Sequence, residues 1–135
     1  MTSYELVVSV NVAVAVMVVI STVVVNSLIT VEAVENEKIA ELALARLEDI
    51  VLHAAAEAPL VVEVNLAEVV FRPVEVEVNE SAMAVRVRGI FATAVRSSKL
   101  PSYLRFNYTG LLPSRSLLYF TKLGGTVVVN VRRGG

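Results

Sequence analysis

The feature that most constrains this chain is a run of 26 residues, Leu6 to Val31, that carries no charge. Inside it, VVSVNVAVAVMVVI (Val7–Ile20) alternates valine with serine, asparagine and alanine, the two-residue period of a strand. As a single strand the run would reach ~85 Å, far beyond ordinary strand lengths. As a helix it reaches ~39 Å, which crosses a hydrocarbon core with some tilt. Valine is a mediocre helix former in water because its branched Cβ loses χ1 freedom. In apolar surroundings the cost of unsatisfied backbone groups outweighs that penalty, and a helix satisfies them within one segment. No glycine or proline interrupts residues 1–58. The reading is therefore a helix, with a donated or sheet-bonded strand as the alternative.

Polar residues within the run bear on its neighbours. At about 100° per residue, Asn11 and Thr22 point one way, Ser9 and Ser27 roughly the opposite way, and Ser21 another. A lone lipid-facing anchor merely tolerates such groups. A helix packed among helices can use them for interhelical hydrogen bonds, with alanines allowing close approach.

Beyond Val31 the sequence VEAVENEKIAELALARLEDIVLHAAAEA keeps helical spacing in Ile39, Ala43, Leu47, Ile50 and Ala54. This is an amphipathic continuation, stopped by Pro59. From Leu60 the period becomes two. LVVEVNLAEVVF reads as a strand and VEVEVNESAMAVRVRGI as a hairpin turning around Asn79–Ala82. One register of that hairpin sets Glu77 opposite Arg86 and Glu75 opposite Arg88. SLLYFTKLGGTVVVNVRR is a hairpin turned by Gly124-Gly125, placing Leu118, Phe120 and Lys122 on one face with Val127, Val129 and Val131. Residues 96–115 read as loop, with a strand at Tyr103–Tyr108. The expected fold class is α+β: a long helical element over residues 1–58, then a β-rich head over 59–135 built from five to seven short antiparallel strands in a sheet or sandwich. About 78 residues is small for independent folding, so the head is expected to pack on a helix.

Charge is divided along the chain. Residues 1–57 carry eight acidic side chains against two basic ones, and residues 58–135 carry ten basic against five acidic. The two halves can attract each other within a chain or between copies. The basic residues are scattered rather than clustered, which argues against a nucleic-acid surface. Cysteine, tryptophan and glutamine are absent, while glutamate, arginine and valine abound, a composition that leans thermophilic.

No catalytic, cofactor or metal constellation is expected. His53 is the sole histidine, read as a partly buried or rim residue, and no second histidine or cysteine exists to complete a metal site. KLGG and the terminal RRGG lack phosphate-loop spacing. Two glycosylation sequons occur, at Asn79-Glu80-Ser81 and Asn107-Tyr108-Thr109, with Asn79 the better placed at a turn. Glu5 stands before the uncharged run, and no lysine or arginine precedes Lys38. A carboxylate persists in apolar surroundings only when paired. The nearest cation is an α-amino group, its own or another copy's.

MTSYELVVSVNVAVAVMVVI resembles the start of a mature type IV pilin: a few uncharged residues, glutamate at the fifth position, leucine, then an unbroken apolar helix. The cysteine-free, aliphatic layout with a β-rich head looks most like archaeal adhesive or type IV-like pilins, although a fifth-position carboxylate is less usual there. Bacterial pilins often carry glycine or proline in this helix; with neither here, a continuous helix is expected. The resemblance implies an extracellular filament for adhesion or motility, self-assembled from a membrane-inserted precursor by an assembly platform with an ATPase. It implies a charged leader removed ahead of Met1, and Glu5 paired with the Met1 amine of an adjacent subunit. The alternative is a single-span surface protein with a β-sandwich binding domain, as in a pilus base or stator.

Overall fold

The computed structural model describes residues 2–70 and 72–134. Helix α1 runs without a break from Ser3 to Ala56, 54 residues and ~81 Å at the helical rise. It starts at a capping box: Thr2 Oγ1 accepts from the Glu5 N–H at 3.2 Å, and Glu5 Oε2 accepts from the Thr2 N–H at 3.1 Å. It ends at Glu57, whose N–H turns back onto the carbonyls of Ala54 and Ala55 before Pro59 makes further helix impossible.

Eight strands follow: β1 (Leu60–Asn65), β2 (Glu75–Val78), β3 (Ala82–Val87), β4 (Ala94–Lys99), β5 (Leu104–Phe106), β6 (Gly110–Leu111), β7 (Arg115–Leu123) and β8 (Thr126–Arg133), with a short helix α2 (Leu66–Val69) after β1. They form two four-stranded sheets, ordered β1-β7-β8-β5 and β4-β3-β2-β6. The fold class is α+β, a long N-terminal helix packed on two sheets. One core joins all three layers: Ala40, Ala43, Leu47, Val51 and Ala54 of α1 lie with Val76, Met83, Val85, Phe106, Leu118, Phe120 and Val129.

The strand inventory differs from the sequence reading in several places. The expected strand over Leu60–Phe71 stops at Asn65. Asn65 Oδ1 accepts from the Ala67 N–H at 3.1 Å, starting a helical turn that buries Leu66 and Val69 at i,i+3 spacing. The span 96–115, read as loop apart from one strand, holds most of β4 and all of β6. β4 looked polar because it is an edge strand whose half-covered residues Ala94, Arg96 and Ser98 alternate with exposed ones. β5 lies inside the expected strand, but it pairs with β8 in parallel, Leu104↔Val127 to Phe106↔Val129, so the head is not wholly antiparallel.

The first hairpin turns where expected but in another register. The Asn79 N–H donates to the Ala82 carbonyl, and Asn79 Oδ1 accepts from the N–H groups of Ser81 and Ala82. A two-residue loop closed by that pair sets Glu75 opposite Arg86 and Glu77 opposite Ala84, correcting the expected Glu77–Arg86 pair. Glu75 nevertheless reaches Arg88 Nε at 2.9 Å. The Gly124-Gly125 hairpin has the expected register, Leu118↔Val131, Phe120↔Val129 and Lys122↔Val127. Gly124 sits at φ +64°, where a side chain is strained.

Candidate assembly surface and its attachment to the head

The helix divides by burial. Every residue from Thr2 to Leu28 is exposed, including Val12, Val16, Ile20 and Val24, each at about half or more of its full accessibility. Ile29, Glu32 and Ala33 are the first that the head partly covers, and Asn36 is the first fully buried. An apolar rod of more than 25 residues thus projects from a compact head, long and apolar enough to cross a membrane. So large an apolar surface cannot stay in water and marks a site of association with lipid or protein.

Within the rod, three hydroxyls are satisfied by the preceding turn. Thr22, Ser27 and Thr30 donate to the carbonyls of Val18, Val23 and Asn26 at 2.8–2.9 Å. The carboxamides of Asn11 and Asn26 are exposed and, among the described residues, have no side-chain hydrogen bond. At about 100° per residue, Asn11, Thr22 and Asn26 fall within one 60° sector. That sector continues the stripe that buries Asn36, Ala40 and Leu47 against the head.

A clasp of polar groups fixes where the head grips the rod. Asn36 is wholly buried; its Nδ2 donates to the Ala92 carbonyl at 3.0 Å and its Oδ1 accepts from Arg72 Nη1 at 2.7 Å. One turn earlier, Glu32 Oε2 accepts from the Phe91 N–H at 2.9 Å. Glu37 meets Arg96 at 2.6 Å and Glu35 lies 3.8 Å from Arg72. The acidic helix and the basic head therefore meet within one chain. These ion pairs are largely solvated and contribute at most ~1 kcal/mol each; the buried Asn36 bonds carry more. Gly89 is required by the fit. A Cβ there would stand 1.8 Å from Glu32 Oε1, 2.2 Å from the Ala92 carbonyl and 2.5 Å from Asn36 Nδ2.

Met1 lies outside the described residues. Glu5 is exposed at the start of the rod and engages Thr2 of its own chain. The signal was legible: Thr2-Ser3-Tyr4-Glu5 is the capping-box pattern. The clasp residues carry no such signal, since each depends on a group far away in sequence. Asn79 and Asn107 are both exposed. The Asn79 carbonyl oxygen holds its turn, while Asn107 Nδ2 donates to Asn130 Oδ1 at 3.0 Å. His53 is not partly buried: its ring is 78% exposed and bonded to Asp49 one turn back, because it falls on the helix face opposite the core.

The architecture, a long exposed apolar N-terminal helix leading into a β head, is pilin-like. Comparison with family models, curated proteins and solved structures gives no match to this chain.

Proposed function

We propose that this chain is a structural, non-enzymatic subunit of an extracellular, type IV-like helical filament serving adhesion or motility. The rod is first a membrane anchor and then part of a core of packed sister helices. The observation that carries the reading is the exposed apolar segment with two carboxamides, Asn11 and Asn26, that have no side-chain hydrogen bond among the described residues. In lipid such groups are costly; against a neighbouring helix they can bond to its backbone or side chains. Identical subunits meeting through different faces form an open helical polymer. Delivery to the filament would use an assembly platform and ATPase, and Glu5 would meet the Met1 amine of a neighbour.

The test is negative-stain microscopy of material sheared from the surface of cells making the chain, with mass spectrometry of the purified fibres. Filaments built in bulk from this chain are expected. Recovery of the chain solely as a membrane-held monomer refutes the reading.

A second reading, a single-span surface protein, is favoured by one observation. Glu5 already has a partner in the Thr2 N–H, so its charge is placed at a helix start without a neighbouring subunit. The same microscopy separates the two.

A further inference from the structure

The loop joining β3 to β4 carries two apolar residues that the head leaves open to solvent: Ile90 is 90% exposed and Phe91 51%. Their position along the helix is fixed. Ala92 is bonded to Asn36, and Phe91 to Glu32 a turn nearer the N-terminus, so passing from Ala92 to Phe91 descends the helix. Below this point the head covers Ile29 only in part and nothing before it. The loop is therefore the leading edge of the head, facing the apolar rod. The tight fit of Gly89 against Glu32 and Asn36 holds its backbone hard on the helix.

That edge coincides with the end of the uncharged run. Glu5 and Glu32, the charges bracketing it, are ~40 Å apart along a helix, close to the ~40–45 Å thickness of a bilayer with its headgroups. A rod spanning the membrane puts one carboxylate in each headgroup layer. It puts Phe91, bonded to Glu32, and its neighbour Ile90 in the second. We propose that Ile90 and Phe91 enter the boundary between headgroups and acyl chains, a shallow second membrane contact that seats the head on the bilayer. The proposal rests on the anchor stage of the function proposed above. An exposed apolar pair at this depth gains from leaving water. Arg88, two residues earlier and 67% exposed beside Glu75, stands where anionic headgroups would meet it. The contact also restricts rotation of the helix about its axis, which a lone span leaves free.

The chain has no tryptophan, so one introduced indole reports its own surroundings. Full-length Ile90→Trp is reconstituted in phosphatidylcholine–phosphatidylglycerol vesicles with lipids brominated near the headgroup or deep in the acyl chain. Val16→Trp on the rod and Val61→Trp on the distal strand β1 serve as references. The expected result is a blue-shifted Ile90→Trp emission, quenched more by shallow than by deep bromines. Val16→Trp should be quenched by deep bromines and Val61→Trp by neither. If Val16→Trp is quenched while Ile90→Trp emits as Val61→Trp does, the loop contact is wrong and the anchor stands. If Val16→Trp is unquenched, the anchor and the loop contact fall together. A blue-shifted Ile90→Trp that no brominated lipid quenches means that a second copy covers the loop, which also overturns the proposal.

Discussion

Replacing Asn36 by alanine isolates the grip of the head on the helix. Two bonds disappear: a neutral one to the Ala92 carbonyl and a charge-assisted one from Arg72. The first contributes about 1 kcal/mol and the second ~1.5–3 kcal/mol in general. The Arg72 side chain is 35% exposed and has Glu35 at 3.8 Å, so it can turn to water or to that carboxylate, which brings its share to ~1 kcal/mol. Loss of the carboxamide leaves a void in a fully buried position, adding roughly 0.5–1 kcal/mol. Alanine's better helix propensity returns about 0.5 kcal/mol. The net destabilisation is ~2 kcal/mol, which for a folding unit near 100 residues lowers Tm by roughly 10 °C. The assay is thermal unfolding of the full chain in detergent micelles, followed by near-UV circular dichroism of the head tyrosines. Ser27→Ala on the exposed rod serves as a control and should leave Tm unchanged. A fall of less than about 3 °C for Asn36→Ala refutes the idea that this buried amide holds helix and head together.

Three further outcomes are expected. Gly89→Ala pushes a methyl onto the Ala92 carbonyl and the Glu32 carboxylate; it should destabilise by ~1–3 kcal/mol and speed hydrogen exchange at the Phe91 amide. Glu5→Gln keeps the capping box, since glutamine also accepts from the N-cap N–H. It should leave Tm unchanged while reducing filament yield in sheared fractions, and unaltered yield removes any role for the charge. Gly124→Ala forces a side chain into φ +64° and should cost ~1 kcal/mol in thermal unfolding, more than Gly125→Ala in the same turn.

What was legible in the sequence is what local rules determine. A long apolar run without glycine or proline, continued by an amphipathic stripe and stopped by Pro59, specifies one helix from Ser3 to Ala56. Gly124-Gly125 between alternating valines specifies the last hairpin and its register. Where local rules compete, the reading slipped. Asn65 could continue a strand or cap a turn, and the apolar pair Leu66 and Val69 decided for the turn. The hairpin after Val78 shifted by two because Asn79 and Ala82 close the loop themselves. Other features are non-local. Asn36 lies in a run of glutamates with no local mark of burial; its buried amide bonds to a carbonyl 56 residues away. Arg96 and Ser98 looked like loop because an edge strand beside an acidic helix tolerates polar residues. The parallel pairing of β5 follows from chain routing, which three residues of alternating pattern do not encode.

The back-bonded hydroxyls of Thr22, Ser27 and Thr30 have one more implication. A donor already satisfied by its own backbone asks nothing of its surroundings, so hydrocarbon and a neighbouring protein surface are nearly equivalent hosts for those three side chains. Asn11 and Asn26 are different, because their amides discriminate between hosts. Those three hydroxyls are thus indifferent to their environment, and the two carboxamides along a single edge supply a preference.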